Sequence, residues 1–419
     1  MNTYLPKIVL AVVIVFCGTV RAEEVSITSD RMLEINGTRT FVLGLYESPT
    51  EEALLEEIAG AGFNLVHAPG DREALDRLHR HGLYAWINLG GLMEQDKEDG
   101  EREAQLRESV ARYASHPALA VWEGPDEALW MCAVNALRSG NSTREVADMF
   151  SQNVDTLQQR LKNGYEILRQ IDPAHPVWLN HAAGNSQEDL AELGRAADIV
   201  GADIYPVMPY PTQPWDISRL GLGWVGMCTD KMQRTAPGKP VWMVLQGMSW
   251  GSFENDLFTL KPQSGQWPSF EESRFMAWDA VARGARGILY WGTHIEAKDS
   301  ECWKSILRTA RELADNHALL TAPDAPAPSV VETRIWGLLP FNASGGLGVQ
   351  ALGKVVDGQQ VWIVANEQLF PVTYTLRGLD IPDGVNYTDA HTGTEARVHK
   401  SALTCAIPAC GIHILWPQP

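Results

Sequence analysis

The chain has 419 residues, with 52 acidic against 34 basic side chains and a formal charge of −18. A field this negative repels polyanions and excludes nucleic acids and anionic membrane surfaces as partners, while neutral polymers remain open as ligands. Six cysteines are far below the density of a disulfide scaffold, so the core must come from apolar burial.

In chain order the first element is a leader. Lys7 precedes an apolar run from Ile8 to Cys17, followed by Val20-Arg21-Ala22 with the small residues that signal peptidase requires. The run is too short to span a membrane, which takes about 20 apolar residues. It predicts a signal peptide over 1–22 cleaved after Ala22, and a secreted or periplasmic protein. Phe16 before Cys17 does not suit a lipid-anchored form. Cleavage removes Lys7 and Arg21 and no acid, so the charge moves from −18 to −20. Cys405 and Cys410 could then close a small loop; the sequence does not decide it.

From residue 41 short runs rich in Val, Ile, Leu and aromatics recur, each followed by a polar stretch with helical spacing. They are FVLGLY (41–46), FNLVHA (63–68), YAWINLG (84–90), ALAVWEGPDE (118–127), PVWLNHA (176–182), DIVGADIYP (198–206), PVWMVLQG (240–247) and ARGILYWGTH (285–294). Between them lie amphipathic stretches such as DREALDRLHRHG and ESRFMAWDAVARGA, ending in the Gly that suits a helix C-terminus. Eight β-then-α units predict an α/β protein, a (β/α)8 TIM barrel over 23–320. An open doubly wound sheet is the rival, but no G-x-G-x-x-G comes after the first strand. A Pro/Ala linker over 321–329 leads to short alternating segments from 330 to 419, which predict a small accessory β-sandwich.

In such barrels the chemistry sits at the C-terminal strand ends. The last polar residues of each run are Tyr46 and Glu47, His67, Asn88, Asp126 and Glu127, Asn180 and His181, Asp203 and Tyr205, Gln246, then Trp291 and His294. Amides, carboxylates and aromatics with few cations suit a neutral polyhydroxylated ligand. Trp250 opens a Trp- and Phe-rich stretch running to Phe270, and Ala128 to about Asn153 is a second long insertion; together these could wall a cleft. No H-x-H comes after the first strand and no H-E-x-x-H occurs, so neither metal nor cofactor is expected.

AVWEGPDE resembles the fourth-strand signature of the clan A glycoside hydrolases, the superfamily of cellulases, β-galactosidases and β-mannosidases. That strand ends in Asn-Glu, with the Glu as general acid/base. Glu127 matches this Glu, and Asp126 replaces the Asn. DIVGADIYP is similar to the sixth-strand Asn-x-Tyr, with Asp203 for Asn and Tyr205 for Tyr. ILYWGTH resembles the eighth strand, whose Trp floors the sugar subsite, here Trp291. The resemblance implies a glycoside hydrolase cleaving O-glycosidic bonds, with Glu127 as acid. It departs at the seventh strand, where Gln246 replaces the nucleophilic Glu, and an amide cannot form a glycosyl ester. Three readings stay open: inversion with Asp203 as base at roughly 6.5–9.5 Å from Glu127, a loop nucleophile such as Glu254 or Glu296, or a glycan-binding protein without catalysis. Glu127 could also be an ordinary helix-start acid, and Asp203 a loop cap.

Overall fold

The computed structural model describes residues 24–207, 221–252, 267–334 and 347–418. The signal peptide over 1–22, Glu254 and part of the aromatic stretch after Trp250 therefore lie outside the described residues.

The chain opens with an antiparallel sheet that the sequence pattern does not announce, β1 (Val25–Ile27), β2 (Leu33–Ile35) and β3 (Thr38–Thr40). Val25, Leu33 and Ile35 pack with Val42, Leu65, Ile199 and Trp242, residues at or near the starts of their strands, so this sheet plugs the bottom of a barrel.

Eight parallel strands close on themselves to make that barrel: β4 (Val42–Leu45), β5 (Leu65–His67), β6 (Tyr84–Asn88), β7 (Leu119–Glu123), β8 (Val177–Ala182), β9 (Ile199–Ile204), β10 (Val241–Gln246) and β11 (Gly287–Trp291). β11 pairs with both β10 and β4, which seals the ring. Each strand falls inside one of the eight runs read from the sequence.

Three indoles fill the interior. Trp86, Trp178 and Trp242 are fully buried and meet edge-on or tilted, with ring centroids 5.5 and 5.3 Å apart. Glycines on other strands make room for them. A Cβ at Gly201 would lie 2.5 Å from the Trp242 carbonyl and 2.8 Å from Trp178 Nε1, and one at Gly287 would lie 2.8 Å from the Trp242 ring. Large residues on some strands face small ones on others, which lets a narrow barrel fill without voids.

The helices begin where short polar caps satisfy their first free N–H groups. Asp71 caps α2 (Arg72–Arg80), Asp99 caps α3 (Gly100–Tyr113), Ser142 caps α5 (Thr143–Ile171), and Ser269 with Glu272 forms a full capping box on α8 (Phe270–Ala282). α1 (Glu52–Gly60), α2 and α8 are followed by Gly62, Gly82 and Gly284, all at positive φ. α4 (Ala128–Ser139) and the long α5 form a hairpin directly after β7, so the second insertion is helical. The ring of helices is completed by α6 (Gln187–Leu193), α7 (Trp224–Thr235), α9 (Glu301–Asp315) and the short α10 (His317–Thr321). No described helix is long and apolar enough to cross a membrane.

Two antiparallel sheets complete the chain. β12 (Ser329–Arg334), β15 (Val372–Arg377) and β18 (Ala402–Ile407) form one. β13 (Val349–Val356), β14 (Gln359–Asn366), β19 (Ile412–Pro417), β16 (Asn386–Asp389) and β17 (Glu395–Arg397) form the other. They enclose their own core around Trp362, Tyr374, Leu403 and Leu415, the β-sandwich expected. Its other face joins the barrel core through Val361, Ile363, Ile412 and Ile414. Cys405 and Cys410 are free thiols here.

Candidate active site

Side chains alternate across a strand, so residues two apart share a face. Trp86, Trp178, Gly201 and Trp242 point inward. Asn88, Asn180 and Asp203 therefore point inward one step higher, together with Tyr46, His67, Glu123 and Trp291, and Gln246 lies two steps above Trp242. Each strand thus sends one such residue inward at its C-terminal end, and strand ends in the sequence point to all but Glu123.

Glu123 ends β7 and is 1% exposed. The Tyr46 hydroxyl donates to its Oε1 at 2.9 Å, and Trp86 Nε1 and Asn88 Nδ2 donate to its Oε2 at 2.9 and 2.8 Å. Burial, with Asp126 nearby, pushes its carboxyl up to about 8 despite these three donors. The available signal was the inward face of the fourth strand, where a lone acid interrupts an apolar run.

Asp126 and Glu127 come next, on the turn into α4. Consecutive side chains of a strand would point to opposite faces. Here Glu127 takes the left-handed conformation, φ 45°, uncommon for a residue with a side chain, and the strand alternation is broken. Asn180 Nδ2 donates to Asp126 Oδ1 at 2.9 Å, while Asn180 Oδ1 is buried with no partner among the described residues. Asp126 is exposed at the open cleft but walled by protein elsewhere. That loss of water, with Glu127 beside it, pushes its carboxyl up to about 6 against the pull of Asn180.

Asp203 lies in side-chain hydrogen-bond contact with Glu127, and Tyr205 with Asp203. Burial, then the charges of Glu127 and Asp126, drive Asp203 well above the carboxylate range. Asp203 therefore holds its proton in this contact. Carboxyls in direct contact leave no room for the attacking water that an Asp203 base requires, and the spacing expected for inversion is absent.

Two expected ligand contacts are corrected. Gln246 is fully buried with its whole amide committed to backbone: Oε1 accepts from Val207 N–H at 2.9 Å, and Nε2 donates to the carbonyls of Val207 at 2.9 Å and Met248 at 3.1 Å. It ties down the turn after β9 rather than facing the cleft. His181 pairs in register with Ala202 on the outward face, is 2% exposed, and is pushed down to about 4 by burial.

The aromatic wall assembles from three elements. Tyr205 stacks on Trp291 with centroids 5.5 Å apart and planes 22° from parallel. Trp250 meets Tyr205 edge-on and donates from Nε1 to the Tyr205 carbonyl at 3.1 Å. His294 is exposed and edge-on to Trp291. His67 Nδ1 bonds the Ser48 hydroxyl at 2.9 Å. Glu47 is held by Thr293 and Lys298, and Glu296 accepts from the Ser249 N–H at 2.7 Å. Among the described residues no group of His, Cys, Asp or Glu is arranged to hold a metal ion.

Barrel, carboxyls and aromatic wall define the class: the chain is a (β/α)8 barrel similar to the clan A glycoside hydrolases. The particular likeness is to β-galactosidases, since residues 147–316 match the family model Glyco_hydro_42, described as beta-galactosidase. That match begins after Glu127 and includes Gln246. No curated protein matches. Among solved structures, a glycoside hydrolase family 5 protein from Bacteroides vulgatus is 14% identical, with TM-score 0.54, over 94% of this chain and 92% of that one. A GH42 beta-galactosidase catalytic mutant from G. stearothermophilus is 9% identical, with TM-score 0.56, over 90% and 98%. The beta-galactosidase of Marinomonas ef1 is 15% identical, with TM-score 0.48, over 68% of this chain, which spans about three fifths (62%) of that enzyme's length. The likeness to the first two shows the fold.

Proposed function

We propose that this protein is an exported glycoside hydrolase that cleaves O-glycosidic bonds of a neutral glycan, with Glu127 as general acid. The single observation that carries the reading is the side-chain contact of Glu127 with Asp203 beneath an aromatic wall. A leaving sugar oxygen needs a proton, and burial beside Glu127 keeps one on Asp203 well above the usual carboxylate range. The proton that Asp203 holds passes across the contact to Glu127, which delivers it to the leaving oxygen, and both carboxyls are then ionised. Asp203 is thus the proton reservoir, and Tyr205 and Trp291 cover the C–H face of the ring. Export rests on the leader over 1–22, and the family match supports a carbohydrate substrate.

The test is Glu127→Gln on aryl glycosides of graded leaving-group pKa. Turnover should fall at least about 10²-fold on poor leaving groups and much less on activated ones that depart without a proton. Equal losses across the series would remove Glu127 from the acid role. One observation favours a second reading, a glycan-binding protein without turnover: Gln246 stands where the clan's nucleophile would be. Saturable oligosaccharide binding without product would establish it.

A further inference from the structure

We propose that the substrate is a 1,2-trans-linked 2-acetamido sugar whose own acetamido oxygen is the nucleophile, with Asp126 as the carboxylate that orients it. This rests on the hydrolase reading above and names its substrate class.

Among the described residues the cleft offers no nucleophile where the clan carries one. Gln246 cannot form a glycosyl ester, and its amide is fully engaged with the backbone at Val207 and Met248. The remaining described carboxyls at the mouth are also engaged. Glu123 takes three donors, Glu47 takes Thr293 and Lys298, Asp203 faces Glu127, and Glu296 takes the Ser249 N–H. Hydrolysis through an intermediate can then take its nucleophile from the substrate itself.

What the cleft offers is a second carboxyl adjoining the acid. The left-handed turn at Glu127 frees Asp126 and Glu127 from strand alternation. Backbone strain at a non-glycine residue persists where surrounding structure enforces it. Asn180 holds one oxygen of Asp126, and the residue remains exposed to the cleft. In the clan pattern this position carries Asn, suited to a 2-hydroxyl. A carboxylate only accepts, and the N–H of a 2-acetamido group only donates. Tyr205 and Trp291 provide apolar surface for the acetamido methyl.

The step balances. The acetamido carbonyl oxygen attacks C1 from the face opposite the leaving group. The C1–O bond breaks, and its electron pair takes the proton of Glu127. The resulting oxazolinium carries its charge on the N–H held by Asp126, so the carboxylate stabilises positive charge that the ground state lacks. Water then attacks C1, gives a proton to Glu127, and the ring C1–O pair returns to the acetamide. Two inversions give net retention.

The experiment uses the mature chain and 4-nitrophenyl β-glycosides of N-acetylglucosamine, N-acetylgalactosamine, glucose and galactose, followed by the N-mono-, di- and trifluoroacetyl analogues of whichever is hydrolysed. The acetamido substrates should turn over at least about 10³-fold faster than their 2-hydroxy counterparts, well within what a positioned intramolecular nucleophile provides. Rates should drop with each fluorine, because fluorine drains electron density from the attacking oxygen. The product should retain configuration, and Asp126→Asn should cost at least about 10²-fold while Glu254→Gln changes nothing. The fluorine series needs no variant, so a misfolded Asp126→Asn would not blunt the test. Comparable hydrolysis of a 2-hydroxy glycoside, insensitivity to fluorine, or an inverted product would overturn the proposal and leave the hydrolase reading standing. Hydrolysis of no glycoside at all would overturn both.

Discussion

Gln246 holds three backbone groups at once, and this determines how it tolerates change. Replacing it by Glu would restore the carboxylate of the clan's seventh strand but would set an anionic oxygen against the carbonyls of Val207 and Met248, where Nε2 now donates. Gln246→Glu should therefore not create a nucleophile. It should destabilise the fold by roughly 1–3 kcal/mol, the cost of leaving buried polar groups unpaired, read as a lower urea midpoint without gain in turnover. Glu123 makes a different prediction. Its folded pKa of about 8 lies above its ordinary value of 4.5. The folded state thus holds a proton that the unfolded chain releases, and stability from this group is complete below about 4.5 and declines as pH rises towards 8. Each pKa unit corresponds to about 1.4 kcal/mol, so the loss across that window is up to roughly 4 kcal/mol. Glu123→Gln carries no titrating proton, and its stability should be flatter between pH 5 and 8 in paired denaturant titrations. An equally steep decline in the variant would show that other groups govern it.

Strands position these residues only because the barrel interior is filled to a fixed pattern of large and small side chains. Gly201 lies two residues before Asp203 on the same inward face of β9, and its missing Cβ is where Trp178 and the Trp242 carbonyl sit. Gly201→Ala should cost about 1–3 kcal/mol through overpacking. It should also disturb the Asp203–Glu127 contact directly above, seen as a shifted alkaline limb in the pH profile of any substrate turned over. A stability loss with an unchanged pH profile would show that the indole layer relaxes without moving β9. The α4–α5 hairpin is an element-scale feature of another kind. Gly164 on α5 is within 1.9 Å, measured from an ideal Cβ, of the Met93 carbonyl, so the long helix docks on the loop after β6 by backbone contact.

At the scale of the whole molecule, barrel and sandwich are joined by a buried charge cluster as well as by apolar surface. Arg283, just after α8, donates to both oxygens of Glu367 at 2.7 and 2.8 Å, and Glu367 also receives the Gly348 N–H. Asp279 of α8 contacts Glu367 and is driven well above its ordinary range by burial and by that neighbour. Removing the only cation bonded to this acid pair among the described residues leaves buried charge uncompensated. Arg283→Met should cost about 3–5 kcal/mol and lower Tm, or split the calorimetric transition into two. A single transition at the original Tm would show the apolar contacts suffice to join the domains.

Much of this was legible in sequence because it depends on local pattern. Apolar runs separated by amphipathic stretches predicted eight βα units; trailing glycines marked helix ends; the change of texture after residue 320 marked the accessory β-sandwich. Those signals act within one strand or helix, so neighbouring residues suffice to read them. The N-terminal plug, with strands of three residues, is too short for periodicity to register. The site divides along the same line. Strand ends named Tyr46, Asn88, Asp126, Asn180, Asp203 and Trp291, because strand direction in a parallel barrel is set by topology. Which carboxyl touches which is set by barrel closure, side-chain alternation and the left-handed turn at Glu127. Only the tertiary structure could place Glu123 under three donors, bring Asp203 against Glu127 across two strands, and turn Gln246 away from the cleft to bind backbone: hydrogen-bond partners distant in sequence leave no trace in composition or spacing.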